Sequence, residues 1–494
     1  MSVLNPIFLC DGYKLSHKDQ YPDKTGYVYS NWTPRTSRVK GQNGIIFFGL
    51  QYFIEEYLVH QFDEFFFSRP KEEVLHEYAR RVNGYLGPNA IGTQHIQDLY
   101  ELGYLPIRIK ALPEGSFVPL GVPALTIENT DPRFFWLVNY FETLMSCVMW
   151  MPSTSATTAS RFRRTLEEYA KKTGSDPAFV DWQGHDFSFR GMPGPEAAAS
   201  SGAAHLLFFT GTDTMPALDF IEAYYGDNFF EPYFEEGTLL GGSVAATEHS
   251  VMSAGGDLNE LDTFNRLLEL YPTGIVSIVS DTWDLWNVLE SILPKLKEKI
   301  LSRQGKLVIR PDSGDPVKIL CGDPDSENPS ARKGVVAILW DLFGGTVSNT
   351  GHRILDSHIG VIYGDGINEE RLNAILKGLA DKRFASCNVV FGMGSFTYQY
   401  VTRDTYGWAM KATWAEVDGK GIDLFKDPIT DDGGKRSAKG RLSVLRGDFD
   451  QYVLVNQATK KQEEDSLLET VYEDGTLERY EDFVTIRERA RSNK

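Results

Sequence analysis

Several short runs in the 494-residue chain combine side chains that do chemistry. Arg310-Pro311-Asp312-Ser313-Gly314-Asp315 follows an apolar run with no spacer. Arginine offers a planar fork to a carbonyl or phosphate, and aspartate accepts from hydroxyls such as a ribose diol. A structural Arg–Asp pair would look the same. Glu248-His249-Ser250 sets an imidazole beside a carboxylate, which suits a base, a phosphoryl-accepting ring nitrogen or a structural histidine. His185-Asp186-Phe187-Ser188-Phe189-Arg190-Gly191 gathers histidine, aromatic and arginine ahead of a small-residue helix at 196–205; the plain alternative is two core phenylalanines and a satisfied histidine. Gly364-Asp365-Gly366 and Gly392-Met393-Gly394 follow apolar runs. Without a Cβ, such turns let backbone N–H groups approach a phosphate, or they are simply tight turns. Both lack the third glycine of a dinucleotide fingerprint, and neither G-x-x-x-x-G-K-[ST] nor H-E-x-x-H occurs.

These runs sit where strands should end. Leu206-Leu207-Phe208-Phe209 precedes Thr210-Gly211-Thr212-Asp213, Val244-Ala245-Ala246-Thr247 precedes Glu248, and Ile275-Val276-Ser277-Ile278-Val279 precedes Ser280-Asp281-Thr282. Leu307-Val308-Ile309, Ile359-Gly360-Val361-Ile362-Tyr363 and Val389-Val390-Phe391 continue the series. Unbroken apolar runs mean strands buried on both faces, and helical spacing between them, as at 284–293 and 369–382, predicts a strand–helix repeat. Polar residues at so many strand ends favour an α/β barrel, with the site on that face, over an open doubly wound sheet. The two ends of the chain read differently. Turn-punctuated strands at 105–127 and hairpins at 408–425, 442–455 and around Asp474-Gly475 predict one mixed α+β domain. The expected division is 1–150 with 400–494, around an α/β barrel-like domain at 151–399.

Length gives a prior of about three units, which this scheme reduces to two. Lys and Arg number 50 against 68 Asp and Glu, a net charge of −18, which argues against coating nucleic acid or an anionic membrane. Cys10, Cys147, Cys321 and Cys387 have no zinc spacing, and reduced thiols in the cytoplasm are expected. The apolar stretch 134–151 carries Asn139, Glu142, Thr143 and Ser146, too polar to face lipid. It reads as a buried helix opened by Asp131-Pro132 and stopped by Pro152.

Taken in order, Asp11-Gly12-Tyr13-Lys14 with His17 and Gln20-Tyr21-Pro22, the 185–191 run, Gly211-Thr212-Asp213-Thr214, Glu248-His249-Ser250, Ser280-Asp281, the 310–314 run, Gly364-Asp365-Gly366, Thr402-Arg403-Asp404 and Phe425-Lys426-Asp427-Pro428 closely resemble the nicotinamide phosphoribosyltransferase family. The resemblance spans essentially the whole chain. It implies a type II phosphoribosyltransferase that joins nicotinamide to phosphoribosyl pyrophosphate with Mg²⁺, giving nicotinamide mononucleotide and pyrophosphate. It also implies a homodimer with active sites at the subunit interface.

Position by position, the resemblance puts Phe187 on one face of the pyridine ring and Tyr13 of the partner subunit on the other. Asp213 would accept from the carboxamide, Arg310 would lie near ring and ribose, and Asp312 would hold the ribose hydroxyls. Gly364, Asp365, Gly394 and Ser395 would line the phosphate site with Arg190 close by. His249 resembles the histidine that ATP phosphorylates, with Glu248 and Asp281 in support, and Arg35 and Arg403 resemble pyrophosphate- or ATP-binding residues. The metal ligands are not implied. Asp213 favours nicotinamide over nicotinate: two like charges about 4 Å apart, at an effective dielectric near 20, repel by roughly 4 kcal/mol, on the order of a thousandfold. The sequence departs from vertebrate-like members at Ser395 and Phe396, where they carry glycine, so the turn is less permissive. A barrel hydrolase or aldolase would need a strand-end lysine or a facing carboxylate pair. A non-catalytic relative would have lost the site residues that are all present here.

Overall fold

The structure, a computed structural model, describes residues 5–227, 237–426 and 438–492, so Asp427 and Pro428 lie outside it. The chain forms two compact units. One comprises Met1–Thr157, Phe220–Glu236 and Val401–Lys494, and the other Thr158–Asp219 and Gly237–Tyr400.

The first, split unit is built on a seven-stranded sheet in the order Lys420–Asp423, Trp408–Val417, Thr25–Pro34, Leu125–Asn129, Ile107–Ala111, Glu469–Glu473, Thr476–Leu477. Every pairing is antiparallel, and strands from the two ends of the chain interleave. The β-branched and aromatic residues of Thr25–Pro34 suit a pleated, buried surface. Trp32 on that strand stacks on Trp408 of its neighbour at 3.7 Å and 12° between planes. The hairpin at 408–425 turns at Asp418-Gly419, both at positive φ (52° and 71°), and its second strand starts at Lys420.

The predicted helix over 134–151 is corrected. Asp131 caps a 3₁₀ turn, Pro132–Phe134, a short helix Leu137–Tyr140 follows, and a 32-residue helix Glu142–Thr173 then runs straight through Pro152. Proline inside a helix removes a backbone donor and crowds the preceding turn. Here its ring fills space left by Gly49, where a Cβ would come within 2.7 Å of Pro152 Cγ. The hydroxyls of Ser153 and Thr157 accept from Phe48 N (3.1 Å) and Ile46 N (2.9 Å), fastening the helix to the strand Gly44–Ile46 and the residues after it.

This unit also buries acids. Glu114 accepts from Gly49 N and Gln51 N, both at 2.6 Å, and from Tyr225 Oη at 3.2 Å. Burial nevertheless pushes its carboxyl up to about 7. Glu55 is buried with Oε1 unpartnered; burial, then the Glu114 charge, pushes it up to about 8.

The second unit is an α/β barrel-like domain. Its strands are β1 Gly184–Asp186, β2 Gly211–Thr212, β3 Ala245–Ala246, β4 Thr273–Val279, β5 Gln304–Arg310, β6 Ile359–Tyr363 and β7 Val389–Met393. All pair in parallel, in the sheet order β2-β1-β7-β6-β5-β4-β3. Gly242 then bridges β2 at Gly211, its N–H donating to Thr210 O (2.8 Å) and its carbonyl accepting from Thr212 N (2.9 Å). Neighbours in the ring are therefore consecutive in the chain, as a barrel requires. Helices such as Pro195–Leu206 and Glu369–Asp381 connect the strands. The sequence misplaced one strand. Leu206-Leu207-Phe208-Phe209 is a helix end and turn, buried against the barrel, and the strand is the shorter Gly211–Thr212. It also missed β1, which has no apolar run.

Candidate active site

The C-terminal ends of the barrel strands bring most of the predicted residues together in the second unit. β1 ends in His185 and Asp186 and runs on into Phe187, whose N–H donates to Met393 O at 3.0 Å. The Phe187 ring lies against two glycines. A Cβ at Gly392 would stand 2.6 Å from Phe187 Cδ2 and 2.7 Å from Gly364 Cα, and one at Gly364 would stand 2.9 Å from Asp312 Oδ1. These two glycines are thus fixed by close approach. Gly394 is different: a Cβ there would meet nothing within 4 Å, so the turn faces open space.

Asp213 follows β2, its N–H bonded to Asp186 O at 2.9 Å. Its Oδ1 meets His185 Nε2 at 3.1 Å and accepts from the Ser243 hydroxyl. Partial burial works to raise this carboxyl, but the His185 and Ser243 hydrogen bonds and the His185 and Arg310 charges outweigh it and hold it below the usual range. The side chain remains 43% exposed. A ligand amide would find an ionised acceptor braced from one side.

Arg310 ends β5; its Nη2 donates to Thr247 O at 2.6 Å while its Nε is buried with no partner. Asp281, after β4, accepts through Oδ2 from Asp312 N (2.8 Å) and Ser313 Oγ (2.6 Å), which shapes the 312–314 loop. Tyr363 Oη donates to the carbonyls of Ser313 (3.0 Å) and Gly314 (2.9 Å) from the other side. Asp281 Oδ1 is buried without a donor. Buried polar atoms are normally satisfied, so Arg310 Nε and Asp281 Oδ1 mark places where a ligand, ion or water completes the set.

His249 is exposed at the start of the helix His249–Gly255. Its Nδ1 lies 3.1 Å from Thr282 Oγ1 and its Nε2 3.8 Å from Asp312 Oδ2. The carboxylate facing the imidazole is therefore Asp312. Glu248 instead accepts from Ser250, and Asp281 holds the loop. Arg190 is exposed in the turn Phe189–Gly191, and Gly191 abuts Ser395 so closely that a Cβ would collide with it. Asp365 is exposed between Gly364 and Gly366.

Tyr13, Arg35 and Arg403 belong to the split unit. Tyr13 is 59% exposed. It lines a cavity of about 270 Å³ with Asp11, Glu142, Cys147, Trp150 and Arg403. Lys14 Nζ to Glu142 Oε2 (2.5 Å) and Thr143 Oγ1 to Asp11 Oδ2 (2.7 Å) pin the segment that carries it. Segments 35–38 and 403–407 run side by side through Thr36 N to Tyr406 O (3.4 Å) and Arg38 N to Thr405 O (2.9 Å). Arg35, Arg38 and Arg403 thereby gather on one surface, Arg38 and Arg403 both near Asp404.

The sequence did not single out Ser243, Thr282 or Arg38. Thr282 stands beside a flagged strand end, and Ser243 follows two glycines, but nothing in their spacing shows which carboxylate or imidazole they meet. Among the described residues no three His, Cys, Asp or Glu side chains converge to hold a metal ion by themselves, and no helix is long and apolar enough to cross a membrane.

Two family patterns match the chain. The nicotinate phosphoribosyltransferase (NAPRTase) family pattern covers residues 182–476, and the pattern of the nicotinamide phosphoribosyltransferase N-terminal domain covers residues 5–109. The chain is 50% identical over 487 residues to the nicotinamide phosphoribosyltransferase of Acinetobacter baylyi, covering 96% of this chain and 94% of that one. It is 36% identical over 457 residues to the protein of the same name from Mycoplasma pneumoniae, covering 89% and 95%. The crystal structure of nicotinate-nucleotide pyrophosphorylase from Pyrococcus furiosus shares the fold, with a TM-score of 0.57, 16% identity and coverage of 98% and 93%. Full-length identity at this level, together with both patterns, makes the chain a member of the nicotinamide phosphoribosyltransferase family.

Proposed function

We propose that the protein transfers the phosphoribosyl group of phosphoribosyl pyrophosphate to nicotinamide, forming nicotinamide mononucleotide and releasing pyrophosphate, a step of NAD biosynthesis. The observation that carries this reading is Asp213, an ionised carboxylate braced by His185 and Ser243 at the mouth of the barrel. An amide NH₂ gains a charge-assisted hydrogen bond there, and a carboxylate ligand meets a like charge.

Phe187 stacks on the pyridine ring, and with Asp213 it aims the ring nitrogen at ribose C1′. That nitrogen is already a nucleophile, so no general base is needed; its lone pair forms the new bond as the C1′–O bond to pyrophosphate breaks. Alignment supplies the catalysis, together with stabilisation of the cationic sugar and the anionic leaving group. Asp312 holds the ribose hydroxyls and Arg310 lies beside the ring and ribose. The turns at Gly364, Asp365, Gly394 and Ser395, with Arg190, take the phosphate. Arg35 and Arg403 suit a pyrophosphate or the phosphates of ATP. Tyr13 of the partner subunit covers the second face of the base in a homodimer.

Mg²⁺ fits as an ion carried largely by substrate oxygens, because no side-chain cage is present among the described residues and Asp281 offers a buried oxygen without a donor. Asp281 and Asp312 would hold it, and it would neutralise the leaving pyrophosphate. Exposed His249 accepts the γ-phosphoryl group of ATP on a ring nitrogen, ADP departs, and the energy of that phosphoryl group is coupled to transfer.

The test mixes protein, phosphoribosyl pyrophosphate and Mg²⁺ with nicotinamide or with nicotinate, each with and without ATP. Mononucleotide from nicotinamide is expected; product from nicotinate alone overturns the substrate, and no product from either overturns the activity. His249→Ala should keep basal transfer and lose the whole ATP stimulation. An equal ATP response in the variant removes the phosphohistidine.

A further inference from the structure

We infer that Arg371, a residue outside the motifs above, is a second cation for the substrate's 5′-phosphate, pre-set by Phe396 across the two glycine turns. The inference rests on the phosphoribosyl reading. Arg371 lies in the first turn of the helix Glu369–Asp381, where its N–H bonds to the capping Asn368 Oδ1 at 2.8 Å. Its side chain turns back to the glycine turn after β6: Nη1 donates to Gly366 O at 2.5 Å. Gly366 sits at φ 62°, and a Cβ there would collide with Nη1, so the glycine leaves room for the guanidinium. The guanidinium carbon stands 5.3 Å from the centroid of Phe396, which belongs to the turn after β7 and is itself backed by Tyr400 at 4.3 Å between centroids. One arginine thus ties together the Gly364–Gly366 and Gly394–Ser395 turns.

Two further observations point to an anion. Among the described residues no carboxylate lies within ion-pair distance of Arg371, although it is exposed in a chain of net charge −18. Of the two acids that precede it on the helix, Glu369 and Glu370, Glu369 is taken by Arg161 at 2.7 Å. An arginine held at two points and left without a counter-ion keeps its remaining N–H groups for a ligand, and planar bidentate donation suits phosphate. Asp365 stands in the same turn, so a phosphate on these backbone N–H groups meets a nearby negative charge that Arg371 offsets. Phe396, the departure from glycine that makes this turn less permissive, thereby gains a role as the face on which the arginine rests.

The test separates the phosphate from the rest of the ligand. Binding of nicotinamide mononucleotide and of nicotinamide riboside, which lacks only the phosphate, is measured by calorimetry for the wild type, Arg371→Ala, Arg371→Lys and Phe396→Gly. Arg371→Ala should weaken the mononucleotide by about tenfold or more and leave the riboside within about twofold. Arg371→Lys should fall between, and Phe396→Gly should lose about threefold for the mononucleotide alone. Equal weakening of both ligands, or an unchanged mononucleotide, overturns the assignment. A wild type that neither binds nor forms the mononucleotide overturns the phosphoribosyl reading and Arg371 with it. A wild type that does both, matched by Arg371→Ala, overturns Arg371 alone.

Discussion

Asp213 at the barrel mouth and the buried pair Glu55 and Glu114 in the split unit hold their carboxyl groups in opposite ways. At the barrel mouth, burial of Asp213 is outweighed by His185, Ser243 and the Arg310 charge, and the group stays ionised below its usual range. In the split unit, Glu55 has no donor on Oε1 and faces the Glu114 charge, so burial pushes it up to about 8. Glu114 has three donors and is still raised to about 7, because the cost of burial outweighs them. Depth alone therefore does not set the charge; the supply of donors against depth does. Asp213 is an anion where a ligand can meet it, and Glu55 is an acid held protonated at neutral pH inside the split unit.

The strongest way to break this contrast is to remove the charge of Asp213 while keeping its shape. Asp213→Asn retains an oxygen for Ser243 and ends the repulsion of nicotinate. With roughly 4 kcal/mol of like-charge repulsion removed, the ratio of kcat/KM for nicotinamide over nicotinate should fall by about a thousandfold. An unchanged ratio would show that selectivity lies elsewhere.

On the other side, Glu55→Gln should matter through pH. The folded carboxyl, at about 8, binds its proton more tightly than the unfolded one near 4.5. Its contribution is therefore fully present below about pH 4.5 and is lost as pH rises through about 8. Urea midpoints should show Glu55→Gln gaining on the wild type over that window, by at most about 5 kcal/mol at pH 9. A difference that stays constant from pH 5 to pH 9 would sink the neutral-acid account.

What could be read from the sequence follows the same physics. β4, β5, β6 and β7 were legible because strands covered on both faces are continuous apolar runs ending in Gly, Asp, Ser or Arg. The run 206–209 has that composition yet closes a helix, since a buried helix end and a buried strand need the same side chains. β1 is Gly-His-Asp, with no apolar signal, and is held by pairing with β7 and β2. Pro152 reads as a stop, because its tolerance depends on Gly49, far away in sequence. In the site, residue types were visible and partners were not. His249 announces itself, but that it faces Thr282 and Asp312 rather than Glu248 depends on a helix start and a loop shape.

The split unit has a third way of holding charge, and it gives the smallest predicted effect. Lys14 is buried, with 3% of its side chain exposed, and pairs with Glu142, itself 28% exposed, at 2.5 Å; Lys411 stands 3.6 Å from the other oxygen. Breaking a buried pair strands a charge, but solvent reaches Glu142 and discounts the cost. Glu142→Gln keeps an acceptor and removes the countercharge, so about 2 kcal/mol should be lost in urea unfolding. The exposed pair Lys24–Asp418, at 71% and 61% exposure, should give less than about 0.5 kcal/mol on Lys24→Ala. Because Lys14 follows Tyr13, Glu142→Gln should also raise KM for nicotinamide more than it lowers kcat, if Tyr13 covers the base. Equal stability losses for the two variants would mean that the Lys14–Glu142 pair is held by solvent, as the surface pair is, and that the segment carrying Tyr13 is fixed by Asp11 and Thr143 alone.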